Sequence, residues 1–70
     1  MHIGKAVDIG DVKFLKRGLC EMRFVFGPGY RVYYTVGGDN TLVLLLVGGD
    51  KSTQRKDIKK AYAVMREMRL

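Results

Sequence analysis

Two stretches of strict alternation flank Gly27-Pro28-Gly29, and an antiparallel hairpin is the simplest fold that satisfies both. In residues 19–26, Cys20, Met22, Phe24 and Phe26 fall on one face, with Glu21 and Arg23 on the other. In residues 30–36, Tyr30, Val32, Tyr34 and Val36 share a face, and Arg31, Tyr33 and Thr35 share the opposite one. Successive strand side chains point to opposite sides, so each stretch reads as a half-buried strand. Proline fixes φ and glycine tolerates positive φ, which makes 27–29 a three-residue loop. That loop predicts Phe26 opposite Tyr30, Phe24 opposite Val32, Met22 opposite Tyr34 and Cys20 opposite Val36. A one-residue slip would set apolar against polar at every pair, so the pattern selects against it. On the other face Arg23 then meets Tyr33, Glu21 meets Thr35, and Arg31 lies diagonal to Arg23.

A second turn, Gly37-Gly38-Asp39-Asn40, leads into residues 41–47, which are apolar on both faces. Such a strand is expected to be central or covered on both sides. Simple alternation places Val43, Leu45 and Val47 with Val32 and Tyr34, and Leu42, Leu44 and Leu46 with Arg31 and Tyr33. Gly48-Gly49-Asp50-Lys51 breaks the strand, and Ser52 or Thr53 offers a helix N-cap. Ile58, Ala61, Tyr62, Met65 and Met68 then recur at helical spacing, an apolar stripe with Lys59, Lys60, Arg66 and Glu67 outside it. Residues 12–15 suggest a short edge strand, closed by a turn at Lys16-Arg17-Gly18. Residues 1–11 have no periodicity and read as a flexible lead-in. The fold class is α+β: a small antiparallel sheet of three to four strands with a C-terminal helix, in one domain.

A chain of 70 residues has a marginal core, so a partner or a second copy is expected. The net charge is +6, and residues 51–70 carry most of it: seven bases against Asp57 and Glu67. A basic end of this kind suits an acidic partner such as nucleic acid, an acidic protein or an anionic membrane; it equally suits a solvated helix face. The single Cys20 allows no internal disulfide, the N-terminal residues have no apolar leader, and residues 42–47 are far too short to span a bilayer. A cytoplasmic protein without a membrane partner is expected.

The chemistry is limited by residue supply. One histidine, His2, and one cysteine cannot make a metal site or a nucleophile–base pair, and neither glycine cluster has the downstream pattern of a nucleotide loop. No cofactor is expected. The better candidate is an anion site. The end of the third long strand lies beside the start of the second, so the loop at 50–54 comes near Arg31. Arg31, Lys51 and the helix-start N–H groups could hold a phosphate, with Arg23 and Tyr33 reaching a neighbouring nucleotide. The alternative is an exposed face on which Arg23 pairs with Glu21 or stacks on Tyr33. Lys13, Lys16 and Arg17 either extend this basic face or keep an edge strand from pairing with other chains.

Glu21-Met22-Arg23, then Gly27-Pro28-Gly29-Tyr30-Arg31-Val32-Tyr33, then Leu44 through Ser52, with Gln54, Asp57, Ile58 and Ala61, together resemble the RelE/ParE toxin superfamily. The nearest branch is the HigB-like addiction-module killer proteins of bacterial type II toxin–antitoxin systems. The resemblance spans about residues 10–65. It implies an RNA-binding, metal-independent mRNA endoribonuclease acting on free or ribosome-bound mRNA and neutralised by a cognate antitoxin. It implies catalytic roles for Arg31, Lys51, Arg23 and Tyr33 and an RNA contact for Gln54; Lys13 and Arg55, as basic residues, are further candidates to bind RNA. Cationic side chains in such enzymes stabilise the charged phosphate while the 2′-hydroxyl attacks. Family members carry a helical hairpin ahead of the sheet, and no such pattern precedes residue 12 here. Two other readings follow: a non-catalytic remnant that binds an antitoxin or itself, and a gyrase inhibitor of the ParE kind.

Overall fold

The computed structural model describes residues 9–25, 27 and 29–69. Four strands, β1 (Ile9–Phe14), β2 (Cys20–Phe24), β3 (Arg31–Val36) and β4 (Leu42–Gly48), form one antiparallel sheet in chain order. A 3-10 turn at Lys51–Thr53 leads into the helix α1 (Gln54–Met68). The α+β fold class expected from the pattern is the fold observed. The edge strand begins at Ile9, so the end of the expected lead-in is strand; residues 1–8, with His2, lie outside the described residues. Among the described residues no helix is long and apolar enough to cross a membrane.

The hairpin register differs from the expectation by two residues. Cys20 faces Tyr34, Glu21 faces Tyr33, Met22 faces Val32 and Arg23 faces Arg31. A shift of two keeps every side chain on its own face and still sets apolar on apolar, so alternation cannot tell these registers apart. The connection is longer than three residues: Phe24 N–H donates to the Tyr30 carbonyl at 2.9 Å, which closes a loop over 25–29. Gly27 and Gly29 both take positive φ there, so the chain bends at two points. Phe26 and Pro28 lie outside the described residues, and the expected Phe26–Tyr30 pair with them.

A second correction concerns β4. Tyr33 faces Leu46 but Tyr34 faces Leu44, so Leu45 is an extra residue, a β-bulge. The bulge reverses the facing of everything before it. Leu42 and Leu44 lie with Val36 and Tyr34, while Val43 lies with Thr35 and Leu46 with Tyr33. An unbroken apolar run has no polar residue to pin its register, which is why simple alternation fails in this strand.

One helix can cover one face of a sheet, and α1 covers the face that carries Tyr33 and Leu46. Leu19, Tyr33, Ala61 and Met65 are buried between them, with Leu15, Leu45, Leu46, Ile58 and Tyr62 packed around. The expected helix stripe therefore holds at Ile58, Ala61, Tyr62 and Met65, while Met68 is half exposed. From the middle of the helix the Tyr62 hydroxyl donates to the Lys16 carbonyl at 2.8 Å, tying α1 to the β1–β2 connection. The molecule is a slab of 32 × 32 × 15 Å. Among the described residues no helix lies over the opposite sheet face, built from Val12, Phe14, Met22, Val32, Leu42, Leu44, Val47 and their neighbours.

Candidate anion-binding site

The site grows from Glu21, in the middle of β2. Its cross-strand neighbours are Lys13 on β1 and Tyr33 on β3, and the start of α1 sends Gln54 down to it. The Gln54 amide donates to the Glu21 carboxylate at 2.9 Å. Arg31, one step along β3, brings its Nε to 4.0 Å from the same carboxylate and donates from Nη1 to the Gly29 carbonyl at 3.5 Å. Glu21 and Arg31 are both buried. They form a charge pair in the interior rather than an exposed phosphate clamp.

Tyr33 is 0% exposed, and its hydroxyl makes no hydrogen bond among the described residues. The Glu21 carboxylate acts on it electrostatically from outside hydrogen-bond geometry. Burial first, and then that carboxylate, push the Tyr33 pKa well above the ordinary tyrosine value. A buried phenol that holds its proton more tightly than free tyrosine is a weaker candidate for a base than an exposed one.

Arg23 stands directly opposite Arg31, not Tyr33, and makes its ion pair with Asp11 at 2.8 Å rather than with Glu21. Both members of that pair are about half exposed. Arg23 also lines a cavity of about 340 Å³ with Phe24, Val25, Gly27 and Gly29. Asp11 gave no signal in the sequence, because only the pairing of β1 with β2 places it beside Arg23. Lys13 is exposed.

The helix start is not an empty anion seat. Asp50 accepts from Ser52 N–H at 2.9 Å and from the Ser52 hydroxyl. Those hydrogen bonds hold the Asp50 carboxyl below its ordinary value, and the Arg31 charge adds to the effect. One turn on, the Thr53 hydroxyl donates to Asp57 at 2.7 Å. Two of the protein's own carboxylates thus occupy the positive end of α1. Lys51 and Arg55 remain exposed beside them. The fold brings Lys13, Arg23, Arg31, Tyr33 and Gln54 around Glu21, but it buries Arg31 and Tyr33 and leaves Lys51 and Arg55 on the rim. Among the described residues no three histidine, cysteine, aspartate or glutamate side chains gather closely enough to hold a metal ion.

The exposed positive charge lies along the helix. Arg55, Lys59 and Arg66 follow one ridge and Lys56 and Lys60 the next, and all five are exposed. None of them forms an ion pair among the described residues, where the only pairs are Arg23–Asp11 and Arg31–Glu21.

Among known proteins, the chain is similar to an uncharacterized protein of Haemophilus influenzae, 48% identical over 63 residues. Those residues are 90% of this chain and 63% of that protein, so the chain spans under two thirds of its relative's length. No family model matches the chain. No solved structure matches it.

Proposed function

We propose that this chain is a RelE-like RNA-binding domain that grips the phosphate backbone without cleaving it. The observation that carries the reading is the contrast between two sets of cations. The helix bases are exposed and unpaired, as backbone neutralisation requires. Arg31 and Tyr33, which cleavage would need at the surface, are sealed beside Glu21. Lys13 and Lys51 extend the cationic surface from the helix toward the sheet. Binding of this kind reads charge and spacing rather than sequence.

The test is binding of a labelled single-stranded RNA by fluorescence anisotropy across a salt series, with the RNA checked for cleavage on a gel. Each phosphate contact contributes about −0.7 to the slope of log K against log salt. Reversing Arg55, Lys59 and Arg66 to glutamate should weaken binding and flatten that slope by roughly two. An absence of binding at low salt, or a slope unchanged by the triple variant, would sink the proposal.

A second reading, the antitoxin-neutralised mRNA endoribonuclease, has one observation in its favour. Arg23 lines the 340 Å³ cavity, and its direct cross-strand partner is Arg31. Induced expression in bacteria separates the two. Growth arrest with mRNA cleavage, lost in Arg23→Ala plus Lys51→Ala, supports the nuclease; normal growth at good expression supports the binding domain. Both substituted residues are exposed, so loss of fold does not confuse the outcome.

A further inference from the structure

The sheet face that α1 leaves open carries six large apolar side chains in contact with solvent. Phe14 is 82% exposed, Val47 60%, Leu44 57%, Leu42 55%, Val36 51% and Val12 42%. The β pairings place all six on one side: Val12 leads through Met22 and Val32 to Val47, Phe14 leads through Cys20 and Tyr34 to Leu44, and Val36 faces Leu42. No charged residue occupies any of these positions. In a chain with 13 basic and 7 acidic residues, a whole sheet face without a charge is not a solvated surface.

From this we infer that the open face is the contact surface for a second copy of the chain, packed sheet to sheet about a two-fold axis. Three observations select that occupant. These positions offer no charge for an acidic or basic partner to recognise, but an apolar face is complementary to itself. The broad side of the slab measures 32 × 32 Å overall, which leaves room for the roughly 800 Å² that a stable interface takes from each partner. The arrangement also solves a repulsion problem, since each copy carries a net charge of +6. Sheets stack about 10 Å apart, which puts the two basic helices on opposite outer surfaces. With slabs 15 Å thick, the helices are separated by more than the Debye length of about 8 Å at physiological salt. Pairing through the helix faces would instead press the two positive ridges together.

The product is a four-layer α/β/β/α particle, with the RNA-binding helices facing outward on both sides. This inference does not depend on what those helices bind. Nor does it use the β4 edge, although that strand is the last of its sheet and uncharged. Edge pairing would leave Val12 and Phe14, three strands away from β4, still in water.

Sedimentation velocity over a concentration series tests it, with Leu44→Lys and Phe14→Lys as variants. Both positions are more than half exposed, so the monomer fold should survive, and far-UV circular dichroism checks this. The expected result is a dimer of twice 7.9 kDa whose dissociation constant rises at least about tenfold in each variant, while Lys59→Glu on the helix leaves it unchanged. A chain that stays at 7.9 kDa at its highest soluble concentration overturns the inference, because the face is then met by a different molecule. A dimer indifferent to both lysine substitutions overturns it as well, because the contact then lies elsewhere.

Discussion

Glu21→Gln is the sharpest probe of the buried cluster. The substitution keeps the shape of the side chain and an oxygen that can accept from Gln54, but it removes the charge that faces Arg31. At the observed 4.0 Å separation, a pair of unit charges in an effective dielectric of 20 attracts with about 4 kcal/mol. Relief of glutamate desolvation returns part of this, and the long Nε contact is weaker than a bidentate one, so a net loss of about 2–3 kcal/mol is expected. A 70-residue domain has roughly 4–10 kcal/mol of stability in total, so the effect is large. In urea unfolding with m near 1 kcal/mol/M, the midpoint should fall by about 2–3 M. The companion Arg31→Met removes the charge that Glu21 compensates and should also destabilise. The double variant should cost less than the sum of the singles by at least about 1 kcal/mol, since neither charge is then left alone. A change below about 0.5 kcal/mol for Glu21→Gln, with additivity in the double variant, would refute the buried pair and return Arg31 to the surface role the family resemblance gave it.

Two further outcomes follow from the same region. Burial raises the pKa of Tyr33 and of Tyr34, so the folded state holds both phenol protons more tightly than the unfolded chain does. Their contribution is fully present below about pH 10 and is lost as pH rises through the folded values; Tyr33→Phe with Tyr34→Phe should flatten the alkaline loss of stability measured by denaturant titration. Gly48→Ala would place a Cβ 2.7 Å from the Asp57 carboxylate and 3.1 Å from the Tyr33 ring, so a cost of about 1–3 kcal/mol is expected by thermal unfolding, reduced when Asp57→Ala accompanies it.

Much of the architecture was legible because it rests on local chemistry. The β2 and β3 alternation, the αL-tolerant turns and the 58–65 helical stripe each use a period that a single strand or helix imposes by itself. The hairpin register was not, because a shift of two residues conserves facing and leaves Met22 on Val32 as satisfied as Met22 on Tyr34. The site was legible as a set of residues and illegible as an environment. Alternation placed Glu21, Arg31 and Tyr33 on one face, but nothing local says whether a helix or water lies over that face.

The sequence by itself determined the element order, the antiparallel hairpin and the concentration of charge on the last helix, since each follows from nearest neighbours along the chain. The tertiary structure alone decided which sheet face α1 covers. Burying Tyr33 with Leu46 under Ala61 and Met65 turned Arg31 and Glu21 inward as a charge pair. It also left Phe14, Leu44 and Val47 open on the other side. The choice depends on side chains far apart in the chain and on a single extra residue at Leu45, whose bulge resets the facing of half of β4. Long-range packing of this kind has no signature in local periodicity.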